Sequence, residues 1–85
     1  MRIDLFLHRI RMVKSRTLAQ GLIDVGRVRI DGQPVTKHSE SVQVGSVIAF
    51  PLHDRVRIVR ILSLPERRGP AAEARLHYED LSEAD

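Results

Sequence analysis

Cysteine and tryptophan are absent from this 85-residue chain, which holds only one tyrosine and two phenylalanines. Without cysteine there is no disulfide to supplement a small core and no thiolate to bind a metal. The shortage of aromatic side chains also leaves little from which to build a platform for stacking unpaired nucleobases. We therefore expect one modest, mainly aliphatic core.

Long apolar runs are missing as well. The longest uncharged run covers residues 41–52, which is shorter than the ~20 apolar residues of a membrane-spanning helix. The N-terminal stretch carries Asp4, Arg9, Arg11 and Lys14, which excludes the apolar segment of a secretory signal. The sequence predicts a soluble, cytoplasmic protein with a single domain over residues 1–85, made of a core at 2–64 and an extension at 65–85.

Groupings of residues typical of catalysis or metal binding are also missing. His8, His38, His53 and His77 are scattered and do not have the spacing of metal ligands. The five glycines stand alone, so no glycine-rich loop could hold a nucleotide phosphate. We expect a protein that is not an enzyme and has no catalytic residues, metal or cofactor.

Two helices are predicted at the N-terminus. Ile3, Phe6, Leu7 and Ile10 follow the spacing of an amphipathic helix. Ser15 is a favourable N-cap for a second helix over residues 16–25. The apolar arc of that helix is formed by Leu18, Ala19, Leu22, Ile23 and Val25.

The remainder of the chain has strand and turn patterns. Residues 27–30 alternate polar and apolar, and Asp31-Gly32 predicts a hairpin turn. Strands are expected at 47–50 and 55–64, the latter with Val56 and Ile58 inward and a bulge or two-sided cover near residue 58. Beyond them we expect a loop at 66–69, a short helix at 70–75 and a fraying acidic tail at 79–85. The fold class is α+β: two helices and a hairpin packed on a small, mostly antiparallel sheet of three to five strands.

Positive charge is concentrated in the first half. Residues 1–37 hold eight Lys and Arg against three Asp, net +5, whereas residues 38–85 hold six Arg against eight acids, net −2. This asymmetry favours a polyanion as partner of the first half. A solvated basic face without any partner is the alternative that charge alone leaves open.

The candidate RNA-binding residues surround the junction of the two helices and the strand that follows it. They are Arg2, Arg9, Arg11, Lys14, Ser15, Arg16, Gln20, Arg27, Arg29 and Lys37. Arginine offers forked donors that suit phosphate oxygens. The shortage of aromatic residues favours folded, duplex-like RNA read through phosphates and shape. A DNA-binding helix-turn-helix is the alternative, but its reading helix would carry few base-reading side chains.

The ordered pattern from Arg2-Ile3-Asp4 through Lys14-Ser15-Arg16 to Asp31-Gly32 and Val47 resembles the S4-type RNA-binding domain, over roughly residues 2–50. Within that family, the run from residue 66 to 79 is similar to the small ribosome-associated heat-shock proteins of bacteria (the Hsp-fifteen type). The resemblance implies an αL motif, two helices followed by a β-hairpin, that docks on structured RNA. It implies ribosomal RNA or the large ribosomal subunit as partner, in stress response or the recycling of stalled subunits. It implies contacts at all the candidate positions except Arg9 and Gln20.

The sequence is also compatible with two other roles. The chain could be a non-catalytic targeting subunit for an RNA-modifying enzyme of the pseudouridine synthase type, because S4-type domains are appended to such enzymes. It could also be an adaptor whose basic face binds an acidic protein. We expect a monomer with no small-molecule substrate and no membrane partner.

Overall fold

The structure is a computed structural model that describes residues 1–82. Two helices come first, α1 at Ile3–Arg9 and α2 at Arg16–Asp24. A hairpin of β1 (Arg29–Ile30) and β2 (Gln33–Pro34) follows, then β3 (Val47–Leu52) and β4 (Arg55–Ile61). The chain continues through α3 (Ala71–Ala74) and a 3₁₀ turn (Arg75–His77) to β5 (Tyr78–Asp80).

One antiparallel sheet in the order β2-β1-β3-β4-β5 carries the two N-terminal helices on one face. The predicted α+β class, with an αL motif on a small antiparallel sheet, is confirmed. Strand β5 was not predicted: Glu79 and Asp80 lie in it and pair with Arg60 and Arg57 instead of fraying. The end of that predicted tail, residues 83–85, lies outside the described residues.

The core lies between the helices and the sheet. The predicted α1 stripe is buried throughout. The residues that it meets are buried aliphatic and aromatic side chains of α2, the loops and the strands, including Ala19, Ile23, Val28, Val42, Ile48, Phe50, Val59 and Ile61. In the predicted arc of α2, Leu18 is 53% exposed and Val25 is 65% exposed. Only one flank of that helix reaches the core.

The prediction that Val56 and Ile58 of β4 face the core is wrong. Ile48 pairs with Val59 in the sheet, and both side chains are buried. Because neighbouring residues of a strand face opposite ways, Val56 lies on the uncovered face, where it is 63% exposed. The pairing with β3 runs unbroken over six residue pairs from Val47 to Leu52, so no bulge interrupts it. Strand β4 contains two overlapping apolar patterns, Val56 with Ile58 and Val59 with Ile61. The pairing with β3 places the second of these on the covered face.

Candidate nucleic-acid interface

Asp4 is a fully buried carboxylate in the first turn of α1. Its two oxygens accept hydrogen bonds from Arg2 Nε and Nη2, both at 3.0 Å, and from the backbone N–H of Leu5 at 2.8 Å. From α2, Gln20 Nε2 donates at 2.9 Å and Arg16 Nη2 at 3.5 Å. We call Asp4, Arg2, Arg16 and Gln20 the Asp4 cluster. One carboxylate thus ties the start of α1 to the side of α2.

The charge of Asp4 is stabilised in place. Burial raises the pKa of Asp4, but hydrogen bonds from Gln20, Arg2 and Leu5 N–H, together with the positive charge of Arg2, outweigh burial and hold the pKa below its usual value. The Arg2 and Arg16 side chains each remain 44% exposed. A guanidinium has five N–H donors, so each arginine keeps donors that can reach a phosphate from solvent. The cluster therefore retains a net positive charge on its outer side.

The corner between the helices is held by local bonds. Arg11 adopts a left-handed backbone (φ 64°) just beyond α1, and its N–H donates to the carbonyl of His8 at 3.1 Å. Ser15 accepts a hydrogen bond from Leu18 N–H at 3.1 Å, which confirms the predicted N-cap of α2. The chain therefore reverses direction over a short segment, with a hydrogen bond at the end of α1 and another at the start of α2.

A second set of bonds braces the corner from the loop at residues 65–69. Arg68 Nε donates to the carbonyl of His8 at 3.0 Å, and its Nη2 donates to the carbonyl of Val13 at 3.4 Å. In return, Arg9 Nη1 donates to the carbonyl of Pro65 at 3.0 Å and Arg11 Nη1 to that of Gly69 at 3.1 Å. These acceptors are neutral, so the three arginines are positioned without losing their charge to a carboxylate.

The pKa of His8 reflects how close together the cations of the corner lie. Its pKa is lowered, first by burial and then by the positive charge of Arg68, Arg16, Arg9 and Arg11. Four arginines thus lie close enough to one imidazole to disfavour its protonation, and His8 is neutral at pH 7. Within residues 1–82, Asp4 is the only carboxylate that forms an ion pair with any arginine of this corner.

The model of the S4 domain matches residues 1–48 of this chain. The chain belongs to the S4 domain family. Heat shock protein 15 of Escherichia coli K12 is 34% identical over 83 residues, which are 98% of this chain and 62% of that protein. The RQC P-site tRNA stabilizing factor of Helicobacter pylori J99 is 37% identical over 65 residues, 76% of each chain.

A solved relative has the same fold. The trimeric structure of Vibrio cholerae heat shock protein 15 superposes with a TM-score of 0.89 at 29% identity, covering 96% of this chain and 82% of that one. The predicted S4 family is thereby confirmed, and so is the predicted similarity to the heat-shock proteins. The S4 domain chain described here spans about 62% of the length of the E. coli relative.

Within this S4 domain the predicted site residues form three groups. The first is the Asp4 cluster, and the second comprises Arg9 and Arg11 at the braced corner, with Lys14 and Ser15 next to them. The third is Arg27 and Arg29, which line a hollow of about 300 Å³ with Pro51 and Val56, on the face of the sheet opposite the helices. Arg29 Nη1 also donates to the carbonyl of Gly32 at 3.2 Å.

Lys37 lies apart, in the loop after β2. That loop adjoins the start of α1, because Glu40 accepts from Ile3 N–H at 2.7 Å. It is also tied to the end of α2 by a 2.6 Å contact between His38 Nε2 and Asp24 Oδ1. Lys37 therefore comes from the same side of the S4 domain as the N-terminus of α1.

Two functional features escaped sequence reasoning. In the sequence Asp4 is only one of several charges in the N-terminal stretch, and its spacing from Gln20 gives no sign of their contact. Arg68 was assigned to an unspecified loop, although its guanidinium holds the corner. Both depend on contacts between residues far apart in the chain. Among the described residues there is no group of three potential metal ligands and no helix long and apolar enough to cross a membrane.

Proposed function

We propose that this S4 domain binds structured, duplex-like RNA through phosphate and shape contacts, and that its target is RNA of the ribosome. The observation that carries the proposal is the corner itself. Five arginines (2, 9, 11, 16 and 68) gather there against one carboxylate, Asp4. Fixed guanidinium groups that keep their charge are suited to phosphate oxygens.

The relatives support the class of partner. One of them is named for stabilising tRNA in the P site, and two bear the name heat shock protein 15. A target within the ribosome, as ribosomal RNA of the large subunit or as tRNA bound there, is consistent with those names and with a role in stress response or subunit recycling. Such a target would place the protein in the cytoplasm.

The proposed contact set is the ten residues predicted from the sequence, and one domain spanning residues 1–85 would supply all of them. We propose that a single copy is sufficient for binding, because the arginines of the corner are positioned by hydrogen bonds within the chain itself. The V. cholerae relative was solved as a trimer. Sedimentation of the protein with and without RNA would measure the stoichiometry, and a bound species containing three copies would contradict a monomer.

The test is a salt titration of binding to a ribosomal RNA hairpin. Engagement of roughly five phosphates gives a log–log slope of about −3.5 to −4.5 for affinity against salt. Replacing the corner cations in the triple variant Arg11→Gln, Lys14→Gln, Arg16→Gln should reduce the steepness of that slope by about two to three.

Arg60→Gln is the matched control. Arg60 is not one of the proposed contact residues, and its charge is paired with Glu79 at 2.9 Å, so its loss should leave affinity and slope unchanged. Circular dichroism melts verify that each variant is folded. If the triple variant keeps the affinity and slope of the parent protein, the corner is not the RNA site. A separate pair, Arg27→Gln with Arg29→Gln, measures whether the hairpin group contributes.

A further inference from the structure

An apolar groove lies beside the corner, on the flank of α2 away from the Asp4 cluster. It has a volume of about 480 Å³ and runs between α2 and the β3–β4 turn. Its walls are the aliphatic side chains of Met12, Val13, Leu18, Leu22 and Leu52. At 3.6 residues per turn, Leu18 and Leu22 leave the helix nearly opposite Arg16 and Gln20. Leu18 faces this groove while 53% exposed.

The rim of the groove is cationic at the corner. Arg11 and Lys14 line it at the corner, and His53 lines it at the β3–β4 turn, whereas no carboxylate is among its lining residues. Within residues 1–82, Lys14 forms no side-chain ion pair. The groove is thus complementary to a weakly polar group that has negative charge beside it. A nucleotide has this combination, because the faces of its base are weakly polar and its phosphates are anionic.

We propose that this groove accepts one unstacked nucleobase of the bound RNA, with the flanking phosphates at Arg11 and Lys14. The inference rests on the proposed function, since it assigns to the same strand both the cations of the corner and the adjoining apolar slot. It goes further in one respect: the aliphatic walls would make binding favour RNA with a looped-out base over a continuous duplex. An acidic peptide would also match the charge, but it would leave the corner arginines of the other flank without a role.

The experiment compares three hairpins of identical stem: fully paired, with one looped-out adenine, and with an abasic site at the looped-out position. The parent protein should bind the looped-out hairpin about five- to tenfold more tightly than the abasic one, as expected if part of one base is buried against aliphatic side chains. Leu18→Gln should lose that preference and bind all three hairpins alike. In a double-mutant cycle, replacing Leu18 in the protein and removing the looped-out base from the RNA should therefore have non-additive effects on the binding free energy.

Val25→Gln is the matched control, because Val25 is an exposed apolar residue at the end of the same helix and does not line the groove. A second readout needs no variant: ring-current shifts of the methyl groups of Leu18, Leu22 and Val13 on addition of the looped-out hairpin. Such shifts, absent with the abasic hairpin, support the proposal.

The outcomes separate the two proposals. If the parent protein binds the paired and looped-out hairpins equally, and the Leu18 methyl groups do not shift, the groove inference is overturned while RNA binding stands. If no hairpin binds at low salt, the proposed function fails and the groove inference with it. An acidic peptide that shifts the same methyl groups when RNA does not would identify a protein ligand and also overturn the inference.

Discussion

Replacing Asp4 by Asn tests the structural basis of the corner. The change keeps the size of the side chain but removes the charge that two arginines share, and it presents an amide to the donors of Arg2 and Gln20. A net hydrogen bond to a charged group contributes about 1.5–3 kcal/mol, and breaking a buried ion pair costs about 3–5 kcal/mol. Because Arg2 and Arg16 remain 44% exposed, water offsets part of the loss. We expect the free energy of unfolding to fall by about 2–4 kcal/mol.

This loss is large for a chain of 85 residues, whose total stability is of the order of 4–13 kcal/mol. Urea denaturation followed by circular dichroism measures it. Asp24→Asn is the matched control, because Asp24 pairs with His38 at the surface, and exposed pairs contribute about 0–1 kcal/mol. A cost below about 1 kcal/mol for Asp4→Asn would refute the reasoning, since the buried carboxylate would then behave like a surface one.

The same substitution has a pH signature. The pKa of Asp4 is lower in the folded protein than the ordinary value of 3.8. Its contribution to stability is therefore complete above that value and is lost as the pH falls through the folded-state pKa. The parent protein should lose this contribution in acid, whereas Asp4→Asn should show a flatter stability profile below pH 4. Parallel profiles for the two proteins would mean that the folded-state pKa of Asp4 is not lowered.

Three further predictions concern the corner and the sheet. Ser15→Ala removes the N-cap of α2 and should lower the free energy of unfolding, measured by urea denaturation, by about 1 kcal/mol. Ser39→Ala, at an exposed turn, should cause no measurable loss. Equal losses for the two variants would contradict the capping role. The pKa of His8 is lowered on folding, so the stability of the protein should decline as the pH falls below 6.5. His8→Gln should reduce that decline. An unchanged pH profile of stability would mean that other histidines cause the decline. Val59→Ala should cost about 2 kcal/mol because the side chain is buried, and Val56→Ala less than about 0.5 kcal/mol; the reverse order would restore the facing of β4 predicted from the sequence.

Features of the fold that depend on neighbouring residues were predictable. The spacing of Ile3, Phe6, Leu7 and Ile10 identifies one buried face of a helix before any partner is known. The hydroxyl of Ser15 caps α2 through a bond that spans three residues. Asp31 and Gly32 both adopt positive φ, as expected of a tight hairpin turn. Each signal lies within one or two turns of chain, and together with the family pattern they were enough for the α+β class.

The sequence by itself determined the helices, the turn, the surplus of positive charge in the first half and the residue types available to bind phosphate. Tertiary structure alone decided which face of β4 is covered, because that depends on pairing Val59 with Ile48. It also decided that Asp4 is buried beneath two arginines and that Arg68, 55 residues beyond Val13, holds the corner. Such contacts join segments remote in the chain, and their energies depend on burial and distance, which arise only when the helices and the sheet pack together.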